Sequence, residues 1–254
     1  MSALALGALP VAVDDEGMRP EALRAALRGG ARAVVLTARC QSPTGAAFTA
    51  ARAAALREIL AAHPAVVVLV DDYASLLADV PYHDCLGRGR ERWLVVRSFN
   101  KPVAPDLRVA VAAGDAATLE RMRREHWLSD GWVSSFLQRV ALGTLADRRA
   151  QATIVRARRV YAERRAALLA ALRARGIAAH GRSGLVVWVP VHDEAAVVAG
   201  LAARGACVRA GARYRLQSPP AVRIATAALP LERAERLADD LAAVLRPGTR
   251  ARTP

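Results

Sequence analysis

Short unbroken apolar runs alternate with amphipathic stretches along this chain. Ala33 to Thr37, Ala65 to Val70 and Trp93 to Val96 are continuous runs of strand length, as expected for strands buried in a parallel sheet. Arg108 to Gly114 reads as a fourth strand, and Val11 to Val13 as a short one before them. Helices fill the intervals. Arg19-Pro20-Glu21 opens one from Glu21 to Leu27, ended by Gly29-Gly30, and Thr49 caps another from Ala50 to Ala62, stopped by His63-Pro64. Ala116 to Glu125 is a third. A long helical region follows, with breaks near Gly131 and Gly143, and runs to about Arg175.

The pattern changes after a boundary near Ala166. Gly184 to Val191 reads as a strand, Asp193 to Ala203 as a helix capped by Asp193, and Cys207 to Arg209 and Val222 to Ala225 as short strands. Leu231 to Leu245 is a closing amphipathic helix, and Pro247 to Pro254 are expected to fray. The expected fold class is α/β. A mostly parallel sheet with flanking helices occupies residues 1–165, and a small C-terminal α+β domain occupies residues 166–254.

Composition sharpens this picture. Hydrophobic residues make up 54% of the 254 positions, enough for a substantial core, but aromatics are only 4%, so alanine, valine and leucine must fill it. No apolar run is long enough to span a bilayer. The apolar opening from Met1 to Val13 lacks a basic leader and reads as the start of a folded segment. The net charge of +14 raises the possibility of polyanion binding, yet the arginines are spread along helices without an aromatic array. Their densest stretch, Arg148 to Arg175, alternates with alanine and leucine, as on the wet face of an amphipathic helix. Cys40, Cys85 and Cys207 are widely spaced and form no CxxC pair, and no histidine has a partner at ligand spacing. A reduced, cytoplasmic protein without a structural metal is the default expectation.

The chemistry gathers where the strands end. Asp71, Asp72 and Tyr73 close one strand, Ser98 and Lys101 close the next, and Arg108 opens the one after. Ligands of open α/β sheets bind in the crevice beyond the carboxyl ends of strands. Lys101 is the sole lysine; every other member of the 37 basic residues is arginine. Guanidinium stays protonated and cannot attack a carbonyl, so a single lysine in an arginine-rich chain points to amine chemistry. The chain has no phosphate loop, no GxGxxG and no Gly-x-Ser-x-Gly elbow. The strand-end set suits pyridoxal 5′-phosphate: an amine for the cofactor aldehyde, a carboxylate to keep the ring nitrogen protonated, a phenol for the ring oxygen, and serine and arginine for the phosphate. Each of these residues also has a plainer reading: Asp71 and Asp72 as turn caps, Arg108 as an ion-pair partner, Arg223 as a surface arginine on an edge strand.

Ser42-Pro43-Thr44-Gly45, Asp71-Asp72-Tyr73, Ser98-x-x-Lys101, Pro105-x-Leu107-Arg108 and Val222-Arg223-Ile224 occur in an order that resembles the fold-type I, class I/II aminotransferases. The resemblance is closest to the aminotransferase-like effector domain of GntR-family transcription regulators of the MocR type. It implies that Lys101 carries the cofactor and acts in catalysis, that Asp71 pairs with the pyridine nitrogen and that Tyr73 meets the ring oxygen. Ser98 and Arg108 would hold the phosphate, and Arg223 the substrate α-carboxylate. The activity implied is amino-group transfer between an amino acid and a 2-oxo acid, in a homodimer. The alternative is a ligand-sensing effector domain, with DNA as a partner only through an upstream winged helix. Ser42 stands where the family usually has asparagine, and Asn100 where it often has serine. The resemblance also implies a shortened chain. The family's phosphate-cradling helix N-terminus and ring-stacking aromatic would precede it, and without the first strands, apolar edges of the sheet would stand open.

Overall fold

The computed structural model describes residues 6–129 and 131–246, so the expected fraying of Pro247 to Pro254 lies outside the described residues. The first regular elements are a two-stranded hairpin, β1 (Val13–Asp14) and β2 (Gly17–Met18), slightly later than the strand expected at Val11 to Val13. Helix α1 (Pro20–Arg28) starts on a proline, whose fixed φ suits a first helical turn, and buries Leu23 and Leu27. Helix α2 (Ala50–Ala61) is capped as expected, with the Thr49 hydroxyl accepting from the backbone N–H of Arg52.

Strands β3 (Ala33–Leu36), β4 (Val67–Asp71), β5 (Trp93–Ser98) and β6 (Ala110–Gly114) form one sheet in the order β3-β4-β5-β6. The first three run parallel and β6 returns antiparallel along β5. Val34, Leu36, Val68 and Val70 share one face and pack with Leu23, Leu56 and Leu60 of the two helices. The other face is treated differently: Val35 alternates with buried neighbours and is 62% exposed. The apolar runs that predicted strands buried on both sides are thus covered on one side by the described residues.

Three helices follow. α3 (Ala116–Leu128) is capped by Asp115, which also accepts from the Trp93 N–H, and α4 (Ser135–Ala146) by Ser134. The break expected at Gly143 is absent, because that glycine lies inside α4. The chain turns instead at Asp147, whose carboxylate accepts from the Ala150 N–H and starts α5 (Arg148–Ala174). α5 runs unbroken past Ala166 and buries Leu168, Ala171 and Leu172.

Those residues join a second core. β7 (Val186–Pro190), β8 (Arg209–Ala210) and β9 (Ala221–Ala225) form an antiparallel sheet in the order β7-β9-β8. Helices α6 (Glu194–Ala202) and α7 (Arg233–Leu245) cover it, with Val187, Val189, Val222, Leu201, Leu237 and Leu241 between. The two cores meet at the Ser42-Pro43-Thr44-Gly45 turn. Gly45 has φ +70°, and a Cβ there would stand 2.8 Å from Gly181 Cα and 3.0 Å from the Ser183 carbonyl, so only glycine fits.

Candidate active site

The parallel register brings the polar ends of β4 and β5 together. Asp71 is the last residue of β4 and pairs with Val96, so Ser98 ends β5 two residues further on. No side chain among the described residues donates to the Asp71 carboxyl. Desolvation raises its pKa, a backbone N–H from Tyr73 opposes this, and the neighbouring Asp72 charge adds to the rise. Tyr73 turns inward, and its hydroxyl donates to the Cys40 carbonyl oxygen at 2.6 Å. Burial pushes its phenol up, Cys40 adds to this, Arg223 opposes it and Asp71 reinforces it. Arg223 therefore lies within electrostatic reach of Tyr73 although it belongs to the other sheet.

Ser98, Lys101 and Arg108 share the loop between β5 and β6. The Phe99 N–H donates to the Val109 carbonyl at 3.0 Å and closes this loop at its base, while the Val103 N–H returns to the Phe99 carbonyl. Leu107 and Val109 anchor it on Ala141 and Leu137 of α4, beside Phe99 and Val103. Ser98 Oγ accepts from the Asn100 N–H at 3.2 Å. Lys101 sits in the turn, exposed, and its amine has no hydrogen bond or ion pair among the described residues. Arg108 does not begin β6. It lies two residues earlier, at φ +50°, ending the short 3-10 turn Pro105–Leu107. The left-handed turn separates it from the strand, and no ion pair occupies it among the described residues, unlike the structural role considered for it.

Arg223 lies on β9, the central strand of its sheet, and is therefore not on an edge. Its guanidinium stands 5.2 Å from the centroid of Tyr214, and its Nε is buried without a partner. Asn100 Oδ1, next to Lys101, is likewise buried and unpartnered. Buried polar groups are nearly always hydrogen-bonded, so both atoms have capacity left for a further partner.

Two clusters escaped the sequence reading. Asp72 is fully buried, and Arg39 donates to both of its oxygens at 2.8 and 2.9 Å while Arg97 donates at 2.9 Å. Both guanidiniums also lie over the Tyr82 ring, at 5.4 and 5.6 Å. The second cluster joins the two cores: Asp79 accepts from Arg165 of α5, from Ser183 Oγ at 2.9 Å and from the Gly184 N–H at 3.2 Å. Cys40 Sγ also contacts Ser183 Oγ at 3.2 Å. Only the Asp71-Asp72 pair carried a signal for the first cluster; nothing local in the sequence marks Asp79 and Arg165, 86 residues apart.

The donor set at the sheet's carboxyl end fits pyridoxal phosphate. Among the described residues it offers an unpaired amine at Lys101, an unpaired carboxylate at Asp71, a phenol at Tyr73, and a hydroxyl and an unpaired guanidinium at Ser98 and Arg108. The comparisons with known proteins agree with this fold and give its family. A vitamin B6 salvage pathway transcriptional repressor, PtsJ of Salmonella typhimurium, is 40% identical over 214 residues, covering 84% of this chain and 50% of its own length. The kynurenine aminotransferase of Pyrococcus horikoshii, solved with PMP, superposes at a TM-score of 0.82 and 21% identity over 93% of this chain and 63% of its own. LysN, an α-aminoadipate aminotransferase of Thermus thermophilus, superposes at 0.82 and 22% over 93% and 64%. At such identities the solved structures speak for the fold alone. The chain spans about half the length of the curated relative and less than two thirds of these solved chains. Residues 8–241 match the family described as aminotransferase class I and II, and a match over that much of the sequence means that the chain belongs to it.

Proposed function

We propose that this chain binds pyridoxal 5′-phosphate at the carboxyl ends of β4 and β5 and serves amino-group transfer between an amino acid and a 2-oxo acid. The observation that carries the reading is that Asp71, Ser98, Lys101 and Arg108 lie at one end of one sheet, with Arg223 of the other sheet in electrostatic reach of Tyr73. Pyridoxal phosphate, when bound, supplies an aldehyde and an electron sink.

The chain's own residues do the rest. Lys101 offers an amine that no other described group engages, so it is free to condense with an aldehyde and then to move a proton as base and acid. Asp71 would pair with the ring nitrogen; its carboxylate would favour the protonated ring, and a ring cation would in turn lower the raised Asp71 pKa. Tyr73, whose one hydroxyl proton goes to the Cys40 carbonyl, would have to turn from that carbonyl to donate to the ring oxygen. Ser98 Oγ and the Arg108 guanidinium would hold the phosphate, and Arg223, with Nε already desolvated, would hold a carboxylate. The reading includes a homodimer, and a reducing, cytoplasmic setting in which the thiols of Cys40, Cys85 and Cys207 stay free.

Borohydride reduction after addition of the cofactor, followed by peptide mapping, tests this. The expected adduct is on Lys101, and Lys101→Ala abolishes both the adduct and the visible absorbance of bound cofactor. Labelling elsewhere, or none in a folded protein, rejects the reading.

The 40% identity to a repressor favours a second reading, in which the domain senses the cofactor or an amino-acid ligand without turnover. The Lys101 adduct then forms, but adding amino acids produces no conversion to 2-oxo acids.

A further inference from the structure

Successive residues of β9 point to opposite faces of its sheet, so Ile224 turns towards the helices while Arg223 turns away. On the helix side, a pocket of about 250 Å³ opens between the turn that follows α6 and the first turns of α7. Ile224 and Leu237, both buried in the second core, line it together with Leu229, so its floor is apolar. Its rim is cationic. Arg233 and Arg236 are one helical turn apart on one face of α7, and Arg204 joins them from the turn after α6. Asp240 is the one carboxylate in the lining. It lies 3.8 Å from Arg204 Nε and 3.9 Å from Arg236 Nε, beyond hydrogen-bond range of either. No acidic group engages the Arg233 guanidinium among the described residues. Three guanidiniums thus face one carboxylate, a surplus of two positive charges. Two of the arginines also stand in the opening turns of a helix, the end whose dipole disfavours cations.

We propose that this pocket is a binding site, separate from the candidate active site, for a small phosphate monoester with an apolar body. Such a phosphate carries about −1.5 to −2 charge at neutral pH, which matches the surplus, and offers an acceptor oxygen to each guanidinium. It would also lie at the end of α7 that favours anions. A carboxylate brings a single charge and would leave an arginine uncompensated. The body rests on Ile224, Leu229 and Leu237. Pockets for drug-sized ligands measure roughly 300–1,000 Å³, so the body here is small. A ligand so placed bridges the turn after α6 to the start of α7. Cys207 is a reporter for the site, because it lines the same pocket and is exposed, whereas Cys40 and Cys85 are buried.

Phenyl phosphate tests this, with inorganic phosphate and phenol as its two halves. The full chain is incubated with pyridoxal phosphate and freed of unbound cofactor. The rate at which uncharged iodoacetamide labels Cys207 is then read by peptide mass spectrometry at rising probe concentration. Phenyl phosphate is expected to protect Cys207, at a half-protecting concentration roughly tenfold or more below that of inorganic phosphate, because a ring is buried with it. Phenol at the same concentrations gives no protection. Joint Arg233→Gln and Arg236→Gln substitution raises the half-protecting concentration roughly tenfold or more, each rate being compared with that of the same variant without probe. Arg213→Gln, which removes an exposed charge outside the pocket, leaves it unchanged. Circular dichroism establishes that the variants are folded. Should the joint substitution unfold the chain, Arg204→Gln, outside any helix, carries the same expectation of weakened protection. Absence of protection by phenyl phosphate, protection that survives these substitutions, or equal protection by inorganic phosphate or by phenol overturns the proposal. The result is independent of the Lys101 reading, since Cys207 labelling is read whether or not a cofactor adduct forms.

Discussion

Tyr73 donates its hydroxyl to the Cys40 carbonyl at 2.6 Å, which ties the end of β4 to the segment after β3. Tyr73→Phe keeps the ring and leaves that carbonyl unsatisfied. The expected loss is about 1 kcal/mol in urea unfolding. In an absorbance titration, Tyr73 should ionise above the usual phenol range, as should Tyr82, which burial pushes up to about 12.

Asp72 gives the largest expected effect. Its carboxylate is fully buried between Arg39 and Arg97, and removing one member of such a group leaves uncompensated buried charge. Asp72→Ala should cost about 3–5 kcal/mol, read as a fall in Tm. Arg39→Ala should cost more than Arg97→Ala, because the Arg39 side chain is 12% exposed and that of Arg97 is 47% exposed.

Asp79 predicts an acid-sensitive junction between the two cores. Burial alone would raise its pKa, but the Arg165 guanidinium, the Ser183 hydroxyl and the Gly184 N–H more than offset this and hold it below the ordinary 3.8. A depressed folded-state pKa contributes stability above the unfolded value, and that stability is lost as the pH falls through the folded value. Thermal stability should therefore decline below about pH 4, and the decline should be shallower in Asp79→Asn.

Asp71 has the opposite sign. Its raised pKa means that it takes up a proton at a higher pH than an ordinary aspartate, whereas pairing with a ring cation needs the carboxylate. Pyridoxal phosphate affinity should weaken as the pH falls through a value above 3.8, and Asp71→Asn should remove this limb of the profile. Equilibrium dialysis across that range measures it. A pH-independent affinity in the unsubstituted chain would contradict the pairing.

Much of the fold was legible because it is written locally. Thr49 and Asp193 are side-chain caps at helix starts, and the apolar runs at Val34 and Val68 do lie in strands. The lone lysine and its strand-end neighbours were legible for the same reason, since each is a short stretch at a turn. What escaped the reading depends on contacts between distant parts of the sequence. The Asp79–Arg165 pair, the Arg39–Asp72–Arg97 cluster and the gathering of Arg204 with Arg233 and Arg236 follow from how elements pack, and no periodicity reports that. Gly143 misled because a helix tolerates an isolated glycine at a modest cost.

Strands β3 and β6 each have a single neighbour in the four-stranded sheet, so each presents a row of backbone N–H and C=O groups on its outer side. Such rims invite self-association, and Val35 adds a greasy surface beside one of them. The counterweight is the net charge of +14, which makes two copies repel as they approach. Salt shortens that repulsion to less than about 10 Å and leaves the rims untouched. Colloidal stability of this protein should thus depend on ionic strength: clear at low salt, clouding as salt is added, and clearing again on dilution for as long as the copies have joined only edge to edge.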